Sequence, residues 1–183
     1  MRKKETRLKE YIWSDLARIV EPSKKNFFCW YFFPRGTVFP YQVWYRILVA
    51  CKKNIITKYT VGFLAYFMYR HLGFKYGISF DSNINVGKGL KIVHAYGVTI
   101  NCQSIGENCT IFQNTTFGSD DNNDVPIIGN NVTVYTGSVV VGKIKIGDNS
   151  IIGANSFVNK NVPNFVTVAG IPAKVIKCNN KPS

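Results

Sequence analysis

Residues 128–158 read IGNNVTVYTGSVVVGKIKIGDNSIIGANSFV, and an apolar residue recurs at every sixth position: Ile128, Val134, Val140, Ile146, Ile152 and Val158. Gly follows it at Ile128, Ile146 and Ile152, and small or polar residues fill most of the rest. A step of six fits neither a heptad nor an amphipathic helix, whose apolar residues recur at three and four. A fixed period of β-branched residues and Gly marks a repeat solenoid. Each hexapeptide is then a short strand plus a corner, with the apolar residue pointing inward. Three hexapeptides close one triangular coil.

The same step continues towards the N-terminus. Phe80, Val86, Ile92 and Val98 form a first register, followed after one extra residue by Ile105, Ile111 and Phe117. The step from Phe117 to Ile128 is eleven. The interruption, residues 119–125, reads Ser-Asp-Asp-Asn-Asn-Asp-Val and predicts a solvated loop, placed where solenoid insertions often build a binding site. It lacks the Gly and the distal Glu of an EF-hand, which excludes that reading.

Two stretches sharpen the pattern. Residues 87–97 read GKGLKIVHAYG, and residues 168–176 read VAGIPAKVI. With the repeats between them, residues 76–177 resemble the left-handed parallel β-helix of the hexapeptide-repeat acyltransferases, in their serine-acetyltransferase-like branch. The resemblance implies a mainly β fold, a homotrimer, acetyl-CoA as cosubstrate and no metal. It makes His94 the general base that removes the acceptor hydroxyl proton, as a neutral imidazole does near neutral pH. A backbone N–H suits the oxyanion that follows. The zinc carbonic anhydrases on this fold use three His, and the repeat region holds one.

Carried over from the family, coenzyme A runs past Gly118, Thr136, Gly137, Gly153 and Ala154, with Lys160 and Lys174 at its phosphates. The family's amino-acid-binding Asp before the catalytic His is Val93 here. Its loop Arg and second His are Asp124 and Val125. The acid fifteen residues before the His is Ser79, with Asp81 nearby as a substitute orienting group. A carboxylate at Asp124 would repel that of serine. These departures, and the lead-in Lys75-Tyr-Gly77, point to the branch that O-acetylates bacterial capsule, exopolysaccharide or lipopolysaccharide sugars. Tyr96, Asp120, Asp121 and Asp124 are then the acceptor-binding candidates. Serine O-acetyltransferase is the alternative, and a non-catalytic scaffold or membrane adaptor is the alternative of another class.

Residues 1–75 differ in character from the repeats. They hold 15 Lys/Arg against 4 Asp/Glu, whereas residues 76–183 hold 8 against 6. Apolar spacing predicts helices over 3–20, 41–52 and 55–72, separated by the aromatic run at 26–33. Such a segment caps the open end of a solenoid. Its aromatic and basic mixture also suits the surface of an anionic membrane. No nucleic-acid recognition motif accompanies the charge, and the longest apolar run is about half of what a spanning helix needs. Five Cys without a CxxC pair, and a basic N-terminus without an apolar run after it, indicate a reducing, cytoplasmic setting with the inner membrane face as a candidate contact. Residues 178–183 are expected to be a disordered tail.

Overall fold

The computed structural model describes residues 2–33, 37–52, 54–94 and 96–179. Five helices come first: α1 (Arg2–Ala17), α2 (Lys24–Phe32), α3 (Phe39–Cys51), α4 (Ile55–Tyr59) and α5 (Val61–Tyr76). The aromatic run at 26–33 is itself helical, started by the Ser23 hydroxyl accepting from the Asn26 amide. The long helix expected over 55–72 breaks at Thr60, whose φ of −102° and ψ of −94° separate α4 from α5.

The solenoid follows in coils of three short strands. The first coil is β1 (Ile78–Phe80), β2 (Asn85–Val86) and β3 (Lys91–Val93), and the second is β4 (Val98–Ile100), β5 (Ser104–Ile105) and β6 (Thr110–Phe112). The third is β7 (Thr116–Gly118), β8 (Ile127–Ile128) and β9 (Thr133–Val134). The fourth is β10 (Val139–Val141), β11 (Lys145–Ile146) and β12 (Ile151–Ile152). The last coil holds β13 (Phe157–Val158) and β14 (Val166–Gly170), and β15 (Ala173–Cys178) turns back antiparallel on β14. Stacking makes three parallel faces: β1-β4-β7-β10-β13, β2-β5-β8-β11 and β3-β6-β9-β12-β14. We call them the first, second and third faces. Ile92, Ile111, Val134, Ile152 and Val168 stack in register up the third face and are all buried.

Two corrections concern register and the tail. Phe80 pairs with Ile100, not with Val98, so the inward step from Ile92 is eight residues. The slip therefore falls at the corner that contains His94, one corner earlier than the sequence suggests. Both Val98 and Ile100 are buried, so hydropathy alone does not distinguish them. The tail is also structured further than expected. Cys178 pairs with Val166 and the Asn179 amide donates to the Phe165 carbonyl, while 180–183 lie outside the described residues.

Corners between the second and third faces use left-handed backbone. Gly89 (φ 75°), Asn108 (56°), Asn131 (53°) and Asn149 (57°) occupy equivalent places, and Gly and Asn are the residues that enter this region most readily.

The helices cap the open end of the solenoid by bonding to the backbone of its first coil. The Gln42 amide donates to the Leu90 carbonyl (2.7 Å), the Tyr45 hydroxyl to the Ile84 carbonyl (2.7 Å) and the Tyr69 hydroxyl to the Phe80 carbonyl. Arg46 donates to the carbonyls of Val86 (2.8 Å) and Gly87 (2.7 Å) and pairs with the buried Asp15 carboxylate (2.9 Å). Asp15 in turn accepts the Leu90 amide (2.9 Å). An exposed strand edge is thus closed by side chains that satisfy its polar groups.

Cys51, Cys102 and Cys109 are buried, whereas Cys29 and Cys178 are exposed. Burial pushes the Cys102 thiol up to about 12 and that of Cys109 up to about 11. A thiol held that high supplies little thiolate near pH 8. Alkylation of the native protein followed by peptide mass analysis should therefore label Cys29 and Cys178 quickly. Cys51, Cys102 and Cys109 should be labelled only after denaturation.

Candidate active site

The four-residue corner 94–97 joins β3 to β4 between the third and first faces. His94 opens it with φ 49°, a conformation uncommon outside Gly and Asn. Its carbonyl accepts the Tyr96 amide (2.9 Å), which closes a tight turn, and the His94 side chain is exposed. The corresponding corner one coil up, 113–115, is a residue shorter. Tyr96, 67% exposed, lies on the His94 corner.

Below this corner α5 ends at Gly77, whose φ of 63° turns the chain into β1. A Cβ added to Gly77 would lie 3.3 Å from the Gly97 nitrogen and 3.7 Å from the Tyr96 Cα, so the helix end abuts the His94 corner. A cleft of about 280 Å³ opens there between α5 and the outer side of the first face. Tyr41, Arg70, Gly77, Ser79 and Thr99 are among its lining residues. The Tyr41 hydroxyl is buried without a hydrogen-bond partner, and Arg70 forms no ion pair among the described residues. Sequence reasoning overlooked Tyr41 and Arg70, because their helical spacing reads as packing.

Above the corner, on the same edge of the solenoid, the backbone stacks Tyr96 under Asn114, Gln113 under Gly137 and Thr136 under Asn155. Thr136, Gly137, Gly153 and Ala154 therefore share the His94 edge. Lys174 joins them through Ala169, its pairing partner, whose side chain lies against Gly153. The remaining expected contacts do not. Gly118 ends β7 and Lys160 follows β13, which puts both at the opposite edge of the first face.

Asp81 also lies at that opposite edge, just after β1, where its carboxylate accepts the Asn83 amide (2.8 Å). It is spent on a local turn and is not brought to His94, whose side chain makes no hydrogen bond among the described residues. The loop 119–125 stands on the same far edge. Asp120 folds it by accepting the amides of Asn122 and Asp124 (3.0 Å each), and Asp121 is exposed. Asp124 pairs with Lys143 at 3.3 Å. Tyr96 and the three loop acids therefore do not share one site within a single chain.

Residues 126–160 match the model described as bacterial transferase hexapeptide (six repeats). A serine acetyltransferase of Staphylococcus epidermidis is 42% identical over 106 residues, which cover 55% of this chain and 49% of that protein. The crystal structure of Neisseria gonorrhoeae serine acetyltransferase superposes with a TM-score of 0.77 at 26% identity, covering 99% of this chain and 70% of that one. The chain is thus similar to serine acetyltransferases in sequence over 106 residues and in fold over nearly its whole length. It spans about half the length of the curated relatives it matches. The same gonococcal enzyme solved in complex with serine gives a TM-score of 0.76 at 25% identity, covering 96% of this chain and 71% of that one.

These relatives, all serine acetyltransferases, overturn the expectation of a saccharide acceptor. Asp124 lies on the far edge of the first face, beside the exposed Lys143, so its carboxylate does not bear on an acceptor at the His94 corner of the same chain.

Proposed function

We propose that this chain transfers acetyl from acetyl-CoA to the side-chain hydroxyl of serine, with His94 as general base. The observation that carries the reading is the 42% identity to a serine acetyltransferase over 106 residues. The exposed His94 on its enlarged corner is consistent with it. The thioester supplies an activated acetyl group. The His94 imidazole takes the hydroxyl proton as oxygen attacks and returns a proton to the departing sulfur. Thr136, Gly137, Gly153 and Ala154 make a strip of small residues along the His94 edge that suits a narrow pantetheine arm, and Lys174 suits a phosphate. Gly118 and Lys160, at the other edge of the first face, would reach the same ligand only from a second copy. That fits a homotrimer with sites between subunits.

The family's carboxylate-binding Arg is absent from the loop, and Arg70 in the cleft beside the corner is the cation that replaces it in this reading. Arg70→Gln should raise the KM for serine about 10- to 100-fold, the worth of a charge-assisted hydrogen bond, and leave kcat within a few-fold. Serinamide, which has no carboxylate, should be used equally by both proteins. The test of the function itself is free-thiol release from acetyl-CoA with serine on the wild-type chain. Turnover supports it. Absence of turnover with any acceptor, together with no coenzyme A binding, overturns it in favour of a non-catalytic solenoid.

A further inference from the structure

Helix α5 is apolar on two opposite sides. Gly62, Ala65, Tyr69 and Leu72 bury one side. The other carries Phe63, Tyr66, Phe67 and Phe74, exposed by 73%, 52%, 61% and 76%. The neighbouring α4 adds exposed Ile55, Ile56 and Tyr59. A helix that is hydrophobic all round is ordinarily covered on both sides, and an apolar patch of this kind marks an interaction surface.

Charge indicates what covers it. The sequence contains no Asp or Glu between Glu21 and Asp81, but nine Lys and Arg. Arg46 is neutralised by Asp15; Lys58, Arg70 and Lys75 accompany the aromatic residues. Lys58 sits over the Tyr59 ring (5.5 Å) and Arg70 over the Phe74 ring (4.8 Å). A second copy packed face to face would set these cations against one another with no acid between them. No helix among the described residues is long and apolar enough to cross a membrane. Rings flanked by cations match the interface of an anionic bilayer, where aromatic side chains enter the headgroup region and Lys and Arg meet the phosphates.

We infer that the α4–α5 face is a peripheral docking surface for an anionic lipid bilayer. Arg70 and Phe74, at the C-terminal end of α5, also line the cleft of the proposed acceptor site, so docking is tested at Phe63, Phe67 and Lys58, which do not. The test is co-sedimentation of the full chain with two kinds of vesicle, phosphatidylcholine alone and equimolar phosphatidylcholine–phosphatidylglycerol. Binding is expected to the mixed vesicles and to fall away in about 1 M salt, where charges are screened beyond a few ångströms. Phe63→Ser and Phe67→Ser should each weaken it about tenfold, and Lys58→Gln about fivefold. Unchanged far-UV circular dichroism confirms that the variants fold. Three results would overturn the inference: no binding to mixed vesicles, equal binding to both kinds, or binding unchanged in the Phe variants. So would a lipid-free oligomer larger than a trimer that the Phe variants dissociate, since the face would then be closed by another copy.

Discussion

His94→Ala should lower acetyl transfer to serine by about 10²- to 10⁴-fold, the usual contribution of a positioned general base. The side chain is exposed, so stability should stay within about 0.5 kcal/mol of wild type. Alanine meets the same left-handed backbone at this corner as histidine does, so little strain is added or relieved. His94→Asn is the useful companion. Asparagine enters that backbone region readily but brings no basic nitrogen. It should hold the corner as well as histidine does and still be inactive. The comparison is made by free-thiol release at saturating serine and acetyl-CoA, beside thermal denaturation of each variant. Activity retained in both variants would remove His94 from the chemistry. Activity retained only in Asn would make the residue a structural part of the turn.

Why the chain announces its fold but not its site follows from the kind of signal each leaves. A solenoid repeats one local solution, so Ile128, Val134, Val140, Ile146, Ile152 and Val158 report the same inward position again and again. The His94 corner occurs once. Its extra residues blur into the pair Val98 and Ile100, both buried, and only the pairing of Phe80 with Ile100 reveals that the slip lies at the corner. His94 is marked in the sequence as the candidate base by the motif around it.

The residues proposed to work with that histidine are less legible, because they come from separate coils and from the helices. Asp81 stands two residues from Ser79 in sequence, but strand β1 runs between the His94 edge and the turn that Asp81 closes. Residues 136, 137, 153 and 154 do meet on one edge because the corners stack, which is a consequence of the period. Lys160 and Gly118 fall on the other edge by the same geometry. Arg70, the proposed acceptor-binding cation, leaves no trace beyond helical spacing. Its place in the cleft appears only when α5 is laid against the first face.

Asp15→Ala should destabilise the protein by about 3–5 kcal/mol, because it leaves a buried guanidinium without its counter-charge. Asp15 is 1% exposed and Arg46 6%, and their pairing is bidentate, at 2.9 and 3.0 Å. Both also bond to the first coil: Arg46 to the carbonyls of Val86 and Gly87, Asp15 to the Leu90 amide. Loss of the carboxylate therefore loosens the β2–β3 corner, and β3 leads directly into His94. The Leu90 amide should lose hydrogen-exchange protection early in the variant, ahead of amides in the fourth coil. Urea denaturation gives the equilibrium value. The double variant Asp15→Ala with Arg46→Met should recover part of the loss, since the uncompensated charge is then gone. A double variant no better than Asp15→Ala would mean that the hydrogen bonds to the first coil, rather than the ion pair, hold the cap in place. The single variant measured near wild type would mean that water reaches Arg46 and that the helices grip the solenoid through their apolar contacts alone.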